Sequence, residues 1–412
     1  MVQPEARFVV GMPAPAAEPK TADPPRAHFW IVAATFGLFL IAASAPSPLY
    51  AVYAARWHFS ALALTEVFAV YAIALLVALL LTGSLSDALG RRPVILVALL
   101  IQLGSLWLFL SAPSVGWLFA ARLGQGIATG VATGALAGAL VDLQPKAQPT
   151  LAVIVNSTAP ILGLAVGALA SAALVQYAPD PLHLIFRLLL GAFVAAVAGI
   201  VVIAEPNRAR SGIRLVPRVG VEPALRPEFI AALPSLVAGW AVGGFYLSLG
   251  PSLALQLAGS SNRLLGGFAI FLLAGVGALA IIIGRSWPAT RSRRVGGVAL
   301  LAGAALAVPA VALTASTLFF TATAVTGIGF GLSWFGVLRT LITLAAPTAR
   351  GALLAAIFIV AYLAFAIPAV VAGYLVSRIG LHQAALWYGS AVGILAFAGL
   401  VGGVLVSRPT RH

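Results

Sequence analysis

The chain has 412 residues, 61% of them hydrophobic and only 8% charged. Soluble domains carry about 25% charged residues and avoid large exposed apolar patches, so a water-soluble fold is excluded. The lack of cysteine excludes disulfides, thiolate metal sites and cysteine nucleophiles. The net charge of +14 would point to nucleic acid in a soluble protein; in a membrane protein it is the excess that collects in loops on one face.

Residues 1–28 hold six prolines and mixed charges, without an apolar core followed by a small-residue cleavage site. They are expected to be a disordered cytoplasmic tail rather than a signal peptide. A helix needs about 20 apolar residues to cross about 30 Å of hydrocarbon. Twelve such stretches follow, at about 29–54, 62–83, 93–112, 115–141, 149–175, 183–205, 229–257, 264–284, 295–315, 317–343, 351–376 and 384–407. The runs are continuous rather than alternating, which predicts helices and not a barrel. With both termini in the cytoplasm, eighteen of the 24 basic residues fall on the cytoplasmic side and three, Arg56, Arg263 and Arg378, outside. Arg122, Arg187 and Arg339 fall inside spans. The stretch 206–228, rich in arginine and proline, is a linker between six-helix bundles at 29–205 and 229–407, and 408–412 is a second short tail. The expected fold class is therefore all-α integral membrane, with twelve transmembrane helices in two pseudo-symmetric six-helix bundles.

The two halves repeat at a nearly fixed offset. Gly126, Ile127 and Gly130 in span four match Gly327, Ile328 and Gly331 in span ten at an offset of 201. The loop from Gly83 to Arg91 and Arg92 matches the loop from Gly284 to Arg293 and Arg294, and Pro46-Ser47 in span one matches Pro251-Ser252 in span seven. Parallel six-span repeats place a solute path between the halves, near the midplane.

The most specific motif is the loop Gly83-Ser84-Leu85-Ser86-Asp87-Ala88-Leu89-Gly90-Arg91-Arg92-Pro93. It resembles the signature between helices two and three of the major facilitator superfamily. The resemblance implies that the loop latches the two halves on the cytoplasmic side, with Asp87 facing Arg350 or the start of span eleven. Span four carries Arg122-Leu123-Gly124-Gln125-Gly126, then Gly130, Gly134 and Gly138. Glycine at every fourth residue predicts one smooth packing ridge. A charge inside the membrane is costly and faces a cavity or a partner. The Arg122 pattern resembles the superfamily's helix-four motif, whose arginine is linked to proton transfer or substrate binding. Asn156, Pro160, Gly163 and Gly167 in span five partly resemble the helix-five motif of exporters that exchange solute for protons, although Ala159 and Leu164 stand where that motif has glycine. The resemblance thus implies a transporter moving a small molecule by alternating access, with proton-coupled efflux ahead of facilitative or proton-coupled uptake. A transporter-like sensor that moves no solute is a further reading.

The second half has no acid after Glu228, and Glu66 is the acid that lies clearly within a span. Glu66 and Arg122 sit at similar depths, and are expected to pair or to share a cavity in which Glu66 takes up the proton. In the superfamily, spans one, four, seven and ten line the path. The cavity candidates on them are Ser47, Tyr50, Tyr53, Gln125, Trp240, Tyr246, Ser248, Ser252, Trp334 and Arg339. Such aromatic, sparsely polar side chains suit an amphiphilic or aromatic solute. No paired in-span carboxylates, histidine metal cluster, nucleophile elbow or phosphate-cradling loop occurs, which excludes the common intramembrane enzymes and primary pumps. The expected partners are the lipid bilayer, a small-molecule substrate and protons, with no nucleic acid, no cofactor and no metal. The chain is expected to be a monomer in the inner or plasma membrane.

Overall fold

The computed structural model describes residues 25–148, 150–205 and 218–406, and every regular element among them is helical. The expected tail at 1–28 apart from residues 25–28, the expected tail at 408–412 and the arginines of 206–217 lie outside the described residues.

Span one runs Arg26–Ser44, makes a 3-10 turn at Ser47–Leu49 and resumes as Tyr50–Trp57. Pro46 and Pro48 have no amide hydrogen to donate, so the helical ladder cannot pass through them unbroken. Span seven breaks at the equivalent place, between Arg226–Ser248 and Gly250–Ala258, where Pro251 opens the second piece. Span two, Ala61–Thr82, starts where the Ser60 hydroxyl accepts the Ala63 N–H at 3.2 Å. Spans three to six are Arg91–Leu110, Val115–Leu143, Leu151–Tyr177 and Leu184–Val202. Spans eight to ten are Leu264–Gly284, Ala289–Ala312 and Ser316–Leu344.

The last two spans differ from expectation. Residues 350–406 are helical throughout except at Gly380, whose φ of 80° and ψ of 162° belong to a region that only glycine occupies readily. The chain packs with Leu225 near residue 353, meets Thr65 at Gly373 and meets Ala231 at Gly402. It therefore crosses the bundle, reverses at Gly380 and crosses back. One glycine replaces the expected connection over 377–383.

Each half has its own interior. The buried residues of one core cluster all lie between Phe29 and Ile203, and those of a second lie between Ala238 and Ala396. Lipid tails are as apolar as leucine, so close backbone packing rather than the hydrophobic effect holds such helices together. The repeat uses the same approach twice. A Cβ on Gly126 or Gly130 would lie 2.4 Å from the carbonyl oxygens of Tyr71 and Leu75 in span two. A Cβ on Gly327 or Gly331 would lie 2.7 and 2.2 Å from those of Leu273 and Gly277 in span eight. Gly134 has nothing within 4 Å, and Gly138 faces the Arg91 side chain, so the expected ridge is two contacts long rather than four.

The halves meet closely near the face opposite the arginine-rich loops. Gly267 packs on Ala172, Gly373 packs on Thr65, and the Arg263 N–H donates to Gln176 Oε1 at 2.8 Å. Below these contacts a shared cluster joins Phe68, Leu75 and Ala168 of one half to Leu247, Ile270 and Phe365 of the other.

Candidate functional site

The loop after span two forms a short helix, Leu85–Leu89, and turns at Gly90 with φ 105°. Arg91 is its hub. Its guanidinium lies 2.6 Å from Asp87 Oδ1 and 3.1 Å from Asp142 Oδ2, and donates to the Ser86 hydroxyl at 2.7 Å. The Glu205 carboxylate, at the end of span six, accepts the backbone N–H groups of Arg91 and Arg92 at 2.7 and 3.0 Å. A carboxylate there satisfies two orphan donors and complements the positive end of span three. Arg92 reaches back to the Val201 carbonyl. The loop is thus tied to spans four and six of its own half. The expected contact between Asp87 and Arg350 is not made: Arg350 is exposed, and Arg91, one helical turn from Asp87, takes the carboxylate instead. In the second half, Arg293 pairs with Glu228 at 2.7 Å and donates to the Gly403 carbonyl at 3.3 Å, so its partner comes from span seven rather than from its own loop.

Arg122 is fully buried in span four. Its Nε donates to the Tyr50 hydroxyl, and its Nη1 donates to the Ala43 carbonyl at 2.8 Å and to Gln125 Oε1 at 2.6 Å. Gln125 in turn donates to the Ala42 carbonyl at 2.9 Å. These carbonyls lie beside the break that Pro46 imposes on span one, where the ladder leaves oxygens available. Three rings surround the guanidinium, with centroids at 5.3 Å for Tyr50, 5.2 Å for Tyr71 and 5.9 Å for Phe109. Nη2 has no protein partner, and among the described residues no ion pair includes Arg122. Buried cations are ordinarily paired. Here neutral oxygens and ring faces hold the charge, and one donor edge is left free for an acceptor.

Tyr71 carries the site to the other half. It is buried in a cluster with Phe365 of span eleven, against which Tyr362 of the same span packs. Tyr362 packs edge-on to Trp240 at 5.1 Å, and Trp240 also meets Trp334 at 5.1 Å and Phe365 at 5.6 Å. The indole N–H of Trp240 is buried without a partner. Tyr71, Tyr362 and Phe365 lie on spans two and eleven, outside the set chosen from sequence.

Glu66 is not in this site. It is exposed, on a stripe of span two with Ile73, Val77 and Leu81, and lines an outer groove with Leu123 and Val370. The expected pairing of Glu66 with Arg122 is not formed. Other candidates divide. Ser47 is buried with its hydroxyl unpartnered, and Tyr53 stacks on Trp57 at 4.8 Å. Tyr246 turns into the second half, bonding Thr323 at 2.7 Å and packing on Phe319. Ser248 donates to the Gly244 carbonyl at 2.7 Å, and Ser252 is half-buried just past the break in span seven. Arg339 lies near the arginine-rich end of span ten, away from Arg122. In span five, Asn156 donates to the Ala137 carbonyl at 3.3 Å, Pro160 sits within the helix, and Gly163 and Gly167 bring the span against Gly37 and Ile41 of span one.

A helical bundle of two like halves, closed toward one face and carrying a buried polar site that reaches from the first half toward the second through Tyr71, is the architecture of a membrane transporter. A family model described as Major Facilitator Superfamily matches residues 31–369, and the chain belongs to that superfamily. The fold is similar to that of the nucleoside transporter NupG, with a TM-score of 0.71 and 14% identity over 92% of this chain and 99% of that one. It is similar to the xylose transporter XylE from E. coli in a partially occluded inward open conformation, with a TM-score of 0.69 and 14% identity over 90% of this chain and 96% of that one. It is also similar to the human organic anion transporter MFSD10, with a TM-score of 0.62 and 18% identity over 92% and 100%. No match was found among curated proteins.

Proposed function

We propose that this transporter moves a small amphiphilic or aromatic solute that presents a hydrogen-bond acceptor or an anionic group to Arg122. The observation that carries the reading is the free donor edge of a buried guanidinium with no carboxylate partner among the described residues, linked through Tyr71 to the Trp240–Tyr362 aromatic cluster of the opposite half. A charged acceptor bound there would gain a charge-assisted bond in a low-dielectric site, and the aromatic faces would cover its apolar part. In this reading the arginine-rich face looks into the cell, both termini are cytoplasmic, and the monomer is the working unit in the inner or plasma membrane. The tight contacts at Gly267 and Gly373 then close the outer face.

The mode proposed first is efflux in exchange for protons, which the partial span-five resemblance supports. A facilitative mode is favoured by a different observation: the in-span carboxylate, Glu66, faces the outer groove and not the site. Flux of a compound panel into and out of proteoliposomes decides between them. Exchange requires that an imposed pH gradient drive uphill movement and that a protonophore abolish it; a facilitative carrier equilibrates the solute either way. Binding without flux would identify a sensor and overturn the transport direction altogether.

A further inference from the structure

The two seams between the halves are chemically unlike. The seam between spans two, four and eleven holds a groove of about 710 Å³ whose walls are apolar apart from Glu66 at one end and Thr82 at the other. The seam between spans five, eight and ten holds a cleft of about 360 Å³ toward the arginine-rich face. Thr150, Arg285 and Arg339 lie at its arginine-rich end, and Val153, Ile281, Phe335 and the single hydroxyl of Ser157, which is bonded to the Val153 carbonyl, line it further in.

Arg339 is held in place. Its Nη1 donates to the carbonyls of Trp287 at 3.0 Å and Arg285 at 3.3 Å, and its guanidinium lies 5.1 Å from the Phe335 ring centroid. Capping the end of span eight in this way uses one nitrogen. Among the described residues the remaining donors of Arg339 make no protein hydrogen bond, and neither Arg339 nor Arg285 has a carboxylate partner. Arg339 lies five residues before the end of span ten, about 7 Å along the axis, which places its charge at headgroup depth rather than mid-bilayer. Two unpaired arginines above an apolar wall, in a seam between helices, match a phosphate headgroup carried on an acyl chain. A free phosphate would have no use for the wall below.

We propose that this cleft binds the headgroup of an anionic phospholipid, with its chain against Val153 and Ile281. The site is separate from Arg122 and does not depend on what the transporter carries. Because spans five and eight belong to different halves, an occupied cleft holds their arginine-rich ends apart and favours the conformation described here.

The test uses the full chain in phosphatidylcholine nanodiscs, with binding read by native mass spectrometry and melting temperature read in parallel. Phosphatidylglycerol is titrated into the wild type, into R285Q, into the R285Q/R339Q pair and into R294Q, which removes an exposed arginine of the same face outside the cleft. The pair is expected to weaken phosphatidylglycerol binding by roughly tenfold or more, the single R285Q by less, and R294Q hardly at all. Equal loss in R294Q would mean a general surface charge and overturn the site. So would equal binding of phosphatidylcholine. Competition by inorganic phosphate or glycerol phosphate as effective as the lipid would assign the cleft to a soluble anion instead. Should the pair not fold, R285Q against R294Q carries the same comparison.

Discussion

Two glycines on one helix offer a matched test of what holds span four to span two. Replacing either by alanine adds one methyl group and the same intrinsic helix preference, worth about 0.5–1 kcal/mol in favour of alanine. At Gly134 nothing lies within 4 Å, so G134A should keep that gain. At Gly130 the new Cβ would stand 2.4 Å from the Leu75 carbonyl oxygen, 2.7 Å from the Ala78 Cβ and 2.9 Å from the Leu79 nitrogen. Ordinary contact is about 3.5–4 Å, so span two must move off by about an ångström. The neighbours at that point are backbone atoms and an alanine methyl, none of which has a rotamer to yield. Overpacking of this kind costs about 1–3 kcal/mol, and it outweighs the helical gain. Melting in detergent, followed by loss of monodisperse protein at one heating rate, should therefore rank G134A above wild type and G130A below it. The reasoning fails if the two variants melt together, because the close approach would then carry none of the packing.

R122M should leave the fold near its wild-type stability and remove solute binding. It loses three charged hydrogen bonds, worth about 1.5–3 kcal/mol each, but also relieves a buried cation whose desolvation costs several kcal/mol. Flux should fall at least about tenfold, and normal flux in a well-folded R122M would remove Arg122 from the site. E205A should destabilise the first half by about 1–2 kcal/mol through the lost cap of span three, with E205Q intermediate because the amide keeps one acceptor; equal melting of all three would refute the cap. Asp180, in the loop after span five, is held below the usual carboxylate range by the His183 hydrogen bond at 2.6 Å, helped by Arg187 at 2.8 Å. A depressed carboxyl adds stability that is present above its unfolded pKa and lost as the pH falls through its folded one. D180N should therefore melt below wild type at neutral pH and converge with it in acid, and melting curves at both pH values check the sign.

Much of the fold is written in the hydropathy of the chain, because a bilayer demands uninterrupted helices of a set length. The repeat is legible for a related reason. Gly126 and Gly327 must both let a backbone approach, and no other residue does so without a Cβ. The azimuth of a helix is harder to read. In water an apolar stripe marks the buried side; in lipid both sides are apolar, so the stripe Glu66, Ile73, Val77 and Leu81 gives no sign that it faces outward. Similar depth along the two spans pointed Glu66 toward Arg122, and the structure turns it outward instead. The glycine ridge was overread for a similar reason: crossing helices touch over a few turns only, and spacing cannot say which. The partners of Arg91 were also hidden, since Asp142 and Glu205 lie far along the chain. Acids are so scarce here that each one at a span end was a signal in itself. The pairing of Asp87 was missed because family analogy pointed across the halves, while Arg91 was one turn away.

The single-residue reversal at Gly380 reaches beyond packing. With no slack between them, spans eleven and twelve cannot enter the bilayer one after the other as separate helices; the second must follow as the other arm of a hairpin, and neither can be oriented independently. An epitope tag or protease site inserted there would have to unwind helix on both sides, so reporters for that side of the membrane belong in the turn at 178–183 instead.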